Sequence, residues 1–230
     1  MIDPIIHSSA AITLIGGGEA TTDDLNDVLS LAPICVAADG GVVLALQAGV
    51  MPKAVLGDFD SAPAAVLDQI PQSRLHRIDE QDTTDFEKAL ARIDAPVIVG
   101  VGFMGGRIDH QLAALHGLLA FADRPCVLLA GDEVILLAPP KIALPTRAGE
   151  VVSLFPLADA MGRSTGLQWP IEGLNFALGE KIGTSNAATG PMSLQMEQLG
   201  LALILPRRLM PDVVAALCQP DAARWPARGR

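Results

Sequence analysis

Asp58 and Asp60 stand two residues apart, directly after Gly57. In an extended turn alternate side chains point the same way, so this spacing lets both carboxylates reach one ion. Asp85 and Lys88, three apart, share a helix face. Asp39 precedes Gly40-Gly41, and Gly105-Gly106 precede Arg107, Ile108, Asp109 and His110. Carboxylates gathered at one place repel one another, and a hard divalent cation with oxygen ligands is the economical neutraliser. Magnesium keeps several waters and shares its shell with substrate phosphates, so the set predicts a metal–nucleotide substrate. The cations agree. Arg107 offers a planar fork to a phosphate, behind glycines that let the backbone approach closely. Gly16-Gly17-Gly18 offers backbone N–H groups to a phosphate, although it is neither a Walker loop nor a dinucleotide fingerprint. Singly, each Asp reads as a cap or turn former and Lys88 as a solvated helix charge; the joint placement carries the inference.

These residues meet only if the elements beneath them share an edge. Short apolar runs predict strands at 11–16, 34–38, 53–57, 97–101 and 127–130, with a weaker one at 75–78. Between them the apolar spacing predicts helices at 23–31, 42–48, 63–69, 84–93 and 109–121, with Thr21 and Thr22 as candidate caps for the first. Alternation of this kind means α/β: a mainly parallel sheet flanked by helices, whose ligands gather at the carboxyl ends of the strands. The clusters around Asp39, Asp58, Asp85 and Asp109 all fall at or near such ends. After Pro140 the helical period fades into short strands at 151–155, 193–196 and 202–205, which predict a smaller all-β sandwich domain. The expected division is an α/β nucleotide-binding domain over 1–138, a β-sandwich over 141–210 and a tail over 211–230. The tail includes a short helix at 213–217 and ten loosely held final residues.

With 230 residues, half of them hydrophobic and only 18% charged, the chain is not disordered. Its 16 basic against 26 acidic residues leave a net charge of −10, which argues against a nucleic-acid or anionic-membrane partner. The longest clean apolar run, 199–205, falls far short of the roughly 18 residues of a membrane span. No Lys or Arg precedes the first apolar run, so no secretory signal is expected. Cys35, Cys126 and Cys218 are odd in number, lack metal-ligand spacing and have apolar neighbours, which reads as buried free thiols in a reducing cytoplasm. His7, His76 and His116 have no partner pattern.

Four segments, Ala37-Ala38-Asp39-Gly40-Gly41, Gly57-Asp58-Phe59-Asp60-Ser61, the run from Gln81 to Leu90, and Gly105-Gly106-Arg107-Ile108-Asp109-His110, together resemble the ordered motif set of the thiamine pyrophosphokinase family. Each alone is unspecific; all four in this order are not. Gly166-Leu167-Gln168-Trp169-Pro170 and Gly183-Thr184-Ser185-Asn186 match more loosely. The resemblance implies an α/β catalytic domain followed by a β-sandwich, a homodimer with thiamine at the interface, and a reaction. In that reaction the thiamine hydroxyl attacks the β-phosphorus of ATP, giving thiamine diphosphate and AMP. Carried over by motif, Asp58, Asp60 and Asp85 hold Mg²⁺. Gln81, Thr84, Lys88 and Arg107 lie around the nucleotide phosphates, and Asp39 and Asp109 line the same cleft. Trp169 and Ser185 match the region that meets thiamine, where an indole face suits a flat cationic ring. Asn186 either positions Ser185 or meets the aminopyrimidine, and Trp169 is either a thiamine contact or sandwich core. The chain departs from the family pattern at Ala187-Ala188 and Ala114. Two rivals come from other classes. An aspartate-nucleophile phosphatase would want Thr or Val where Ala62 stands, and a non-catalytic nucleotide or thiamine sensor would bind without releasing AMP.

Overall fold

Strands in which every residue is apolar or small need cover on both faces, and the first part of the chain supplies it. The structure, a computed structural model, describes residues 3–227. One compact unit comprises the chain up to Gly117 together with Leu128–Ala130; the other comprises Leu118–Val127 and the chain from Gly131 onward.

The first unit runs β1 (Ile6–His7), β2 (Ile12–Ile15), α1 (Thr22–Leu31), β3 (Ile34–Ala38), α2 (Val42–Gln47), β4 (Ala54–Gly57), α3 (Ala64–Leu67), β5 (Leu75–Arg77), α4 (Asp85–Arg92), β6 (Ile93–Asp94) and β7 (Ile98–Val101). α5 (Ile108–Ala120) follows, and then β8 (Cys126–Ala130), which lies beside β7. Every residue of β2, β4 and β7 is buried. β3, β4 and β5 pair in parallel, with Val36 opposite Ala54 and Leu56 opposite His76. β2 pairs in parallel with β7, and β1 with β6. The turns that follow β2, β3, β4 and β7 meet at one cleft, which is where the acidic turns emerge.

Local chemistry sets the helix starts. Thr21 and Thr84 each cap a helix through a reciprocal box, the first with Asp24 and the second with Glu87. α4 buries Phe86, Ala89 and Leu90 on the face that the apolar spacing marks, and buries Lys88 as well. The helical reading at 84–93 ends one residue early, because Ile93 turns extended to pair with β1.

The second unit holds β9 (Glu133–Leu137), β10 (Lys141–Leu144), β11 (Val151–Pro156), β12 (Gly162–Leu167), β13 (Gly183–Met196), β14 (Leu201–Pro206) and α6 (Met210–Leu217). Its ladders are antiparallel, in the order β9–β14–β11–β13. β13 then leaves β11 and pairs with β12 from Ala188 and with β10 from Met192. Such a strand, shared by two ladders, is how a β domain turns a corner.

"Mainly parallel" therefore describes the first unit and not the chain, since most strands taken together are antiparallel. The reason is that the second half uses hairpin and meander connections, which need no crossover helix. Of the final ten residues expected to be loosely held, 228–230 lie outside the described residues, while at Trp225 the indole N–H donates to the Ala138 carbonyl at 2.9 Å. Cys35 and Cys126 are free and buried, which pushes the Cys35 thiol up to about 12 and the Cys126 thiol higher still, whereas Cys218 is only half-buried. Among the described residues no helix is long and apolar enough to cross a membrane.

Candidate active site

β3 delivers Asp39 into a tight turn, Asp39–Gly41, with φ +39°. Two glycines make this approach possible. A Cβ on Gly41 would lie 2.1 Å from the Ile15 carbonyl oxygen, and one on Gly57, at φ +155°, would lie 2.9 Å from the Asp39 Cβ. The ends of β2, β3 and β4 can thus crowd together only without those side chains. Asp39 is 1% exposed. Its Oδ2 accepts the Ser61 N–H at 3.2 Å, and its Oδ1 is buried with no hydrogen-bond partner. Burial pushes this carboxyl up to about 6; the Ser61 N–H opposes the shift, and the nearby charges of Asp85 and Asp60 add to it.

Beyond β4, Phe59 adopts φ +65°, so Asp58 and Asp60 do not converge by the alternation of an extended turn. A left-handed kink brings them together instead. One carboxylate oxygen from each of Asp39, Asp58 and Asp60 lies within 4.8 Å of the other two. Asp58 Oδ2 receives the Lys88 ammonium at 3.0 Å and the Gln81 amide at 3.2 Å. The Lys88 hydrogen bond holds the Asp58 carboxyl below its ordinary range, against desolvation. Lys88 also donates to Asp85 Oδ1 at 3.1 Å. Burial alone would depress the lysine, but its bonds to Asp58 and Asp85 outweigh that and hold its pKa up.

A cleft of about 840 Å³ runs from Asp58, Asp85 and Lys88 along Gly16–Gly18 to Arg107. Of the three glycines, Gly16 and Gly18 donate their N–H groups to Val101 and Gly102, which leaves the Gly17 N–H as the candidate donor to a ligand. Thr84 spends its hydroxyl on Glu87, as the cap of α4. Arg107 is exposed and grips Asp109 with two bonds, at 3.1 and 2.6 Å. That pairing raises the arginine's pKa and lowers the aspartate's. Asp109 is thus a partner of Arg107 rather than a member of the acidic trio, and Asp85 faces Lys88 while Asp39 joins Asp58 and Asp60. Phe103 also lines the cleft, with its ring 4.6 Å from that of Phe86. An apolar residue in a strand-to-helix loop carries no sequence signal for such a role.

In the second unit Trp169 is 56% exposed, so it is not core. Asn186, by contrast, is buried. Its Oδ1 accepts the Trp169 N–H at 3.2 Å and the Ala187 N–H at 2.8 Å, and its Nδ2 donates to the Trp169 carbonyl at 2.7 Å. The amide is consumed in holding the tryptophan backbone, not Ser185. Ser185 has φ +60° and donates its N–H to Ser153 Oγ at 2.9 Å.

The acidic trio fits a hard divalent cation. Its donors are all carboxylate oxygens, and one of its members, Asp39, carries the one buried side-chain polar atom without a partner among the described residues, Oδ1.

The family model described as "Thiamin pyrophosphokinase, catalytic domain" matches residues 25–129, and that described as "Thiamin pyrophosphokinase, vitamin B1 binding domain" matches 141–197. Thiamine pyrophosphokinase 1 of Arabidopsis thaliana is 32% identical over 162 residues, covering 62% of this chain and 61% of the relative. Thiamin pyrophosphokinase 1 of Caenorhabditis elegans is 26% identical over 203 residues, covering 79% and 82%. The chain spans about three fifths of the length of the first curated relatives it matches. Among solved structures, thiamin pyrophosphokinase from Geobacillus thermodenitrificans superposes with a TM-score of 0.71 at 27% identity, covering 85% of this chain and 97% of its own.

Proposed function

The chain belongs to the thiamine pyrophosphokinase family, both of whose domain models it matches, and from that premise we propose that it transfers the pyrophosphoryl group of ATP to the thiamine hydroxyl, giving thiamine diphosphate and AMP. The observation that carries this reading is the meeting of Asp39, Asp58 and Asp60 beside the buried Lys88, in one cleft inside the matched catalytic span.

Asp39, Asp58 and Asp60 would hold Mg²⁺ through their carboxylates. Asp85, expected as a ligand from the motif, is engaged by Lys88 and borders the same cleft. Bound there, the ion offsets charge on the polyphosphate. Phosphoryl chemistry is mostly positioning and charge stabilisation, and this chain's residues supply both. Lys88 keeps Asp58 ionised and oriented. Gln81 steadies the same carboxylate from the other side. Thr84 starts α4 at the height that places Lys88, and the Gly17 N–H faces a phosphate oxygen. Arg107 exchanges the Asp109 carboxylate for a phosphate of similar geometry. In the second unit Trp169 stacks on a thiamine ring, Asn186 fixes the indole's backbone, and Ser185, its neighbour in sequence, meets the same ligand.

We further propose a homodimer acting in the cytoplasm, with thiamine at the subunit interface. Ile108 and Leu112, one turn apart on α5, are 69% and 62% exposed, which suits a surface covered by a second copy. The acidic charge and buried thiols suit the compartment.

The test is to incubate the pure protein with ATP, Mg²⁺ and thiamine and separate the nucleotides. AMP appearing in step with thiamine diphosphate, and abolished by a chelator, is the expected result. ADP in its place would overturn pyrophosphoryl transfer.

A further inference from the structure

The segment between β5 and α4 carries Gln81, whose amide reaches Asp58. Its polar ties run through Glu80. Thr83 Oγ donates to Glu80 Oε1 at 2.5 Å, and Arg92 Nη2 pairs with Glu80 Oε2 at 3.3 Å. Arg92 is the last residue of α4, and its Nη1 donates to the Lys88 carbonyl at 3.0 Å. One guanidinium thus joins the loop to the backbone of the residue whose ammonium grips Asp58 and Asp85. The Arg92 side chain is 12% exposed and that of Glu80 34%, so the pair is shielded on one side. The Thr83 hydroxyl, with help from Arg92, holds the Glu80 carboxyl below its ordinary range.

Helix stability does not account for this link. A cation in the last turn serves a helix by facing its free carbonyls. Arg92 Nη1 instead bonds the Lys88 carbonyl, one turn back within the helix, which leaves Nη2 over. Nor does α4 need Glu80 at its start, where Thr84 and Glu87 complete the capping box. What the Glu80–Arg92 pair constrains is the loop.

We propose that Glu80 and Arg92 are positioning residues of the transfer reaction: their ion pair, closed by Thr83, holds the loop so that the Gln81 amide stays on the Asp58 carboxylate. This rests on the proposed function for its catalytic consequence, and on geometry alone for its structural one.

The test is a double-mutant cycle of Glu80→Ala and Gln81→Ala, read by kcat, KM, thermal melting and amide hydrogen exchange. Glu80→Ala is expected to lower kcat/KM about tenfold, the size of a small misplacement, with little change in melting. Adding Gln81→Ala should cost less than about a further twofold, because both act on one contact. Exchange at residues 79–84 should quicken while α4 stays protected. Arg92→Lys should behave like a weaker Glu80→Ala, and Glu80→Gln, which still accepts from Thr83, should recover part of the loss. Independent, multiplying effects or unchanged exchange in the loop would overturn the proposal. A wild-type protein that makes no thiamine diphosphate would instead overturn the functional reading, while the exchange result would still decide whether the loop is clamped.

Discussion

At the cleft of the first unit the charged and polar side chains are bonded to one another: Lys88 to Asp58 and Asp85, and Gln81 to Asp58. At the Trp169 surface of the second unit the reverse holds. The exposed indole makes no polar bond among the described residues, and a buried asparagine holds only its backbone. The first arrangement suits charge, because a buried carboxylate must be partnered or its ionised form is disfavoured. The second suits a flat apolar ring, which needs a fixed direction but no partner until a ligand arrives. On the proposed function, chemistry and recognition would rest on different kinds of rigidity, a side-chain network in one unit and a backbone latch in the other.

Substitutions in the two regions should separate along that line. Asp58→Asn strikes the centre of the network and should lower turnover on the order of a thousandfold while circular dichroism stays native. Near-normal turnover would remove Asp58 from the chemistry. Lys88→Met leaves two carboxylates without their cation. It should cost about a hundredfold in turnover and about 3 kcal/mol in urea unfolding with chelator present. A variant as stable as the wild type would show that Asp58 and Asp85 do not need the lysine. In the second unit, Asn186→Ala frees the Trp169 backbone and should raise the KM for thiamine about tenfold with kcat nearly constant. A fall in kcat at constant KM would place Asn186 with the network instead.

The remaining effect concerns stability and carries the opposite sign. Asp39 has its carboxyl raised from 3.8 to about 6, so between those values the folded protein binds a proton that the unfolded chain does not. Stability from this group is complete below about pH 4 and is lost as pH rises through 6. Asp39→Asn should therefore stabilise the ligand-free protein by up to about 3 kcal/mol at pH 7 and by almost nothing at pH 4. Thermal melting in chelator at the two pH values checks this. Equal differences at both would mean that the burial of Asp39 costs nothing.

Much of this architecture is legible in the amino-acid sequence. The acidic turns at Asp39 and Asp58 can be placed because short, mostly apolar runs precede them and amphipathic runs follow, whereas Asp85 follows only the weak, partly charged run at 75–78. The fading of helical periodicity near Pro140 is legible, but the second unit already takes in Leu118–Val127 and the chain from Gly131, because β9 pairs with β14. Other features are not. The β13 strand is 14 residues long, yet only 193–196 read as extended, since its earlier Gly, Ser, Asn and Ala residues carry no strong strand preference. Ile93 reads as helix because its partner, Ile6, is far away in sequence. Phe59 reads as part of an extended turn because a left-handed backbone is an exception that spacing does not announce.

By itself, then, the sequence determined which residue types stand at which turns, because composition and periodicity are local properties of the chain. Which carboxylates come within reach of one another, which are claimed by Lys88 or Arg107, and whether Trp169 is buried or exposed were decided only by the tertiary structure. Burial and partner choice depend on segments that are distant in the chain and adjacent in space, and a hydrogen bond spent on one neighbour is no longer available to a ligand.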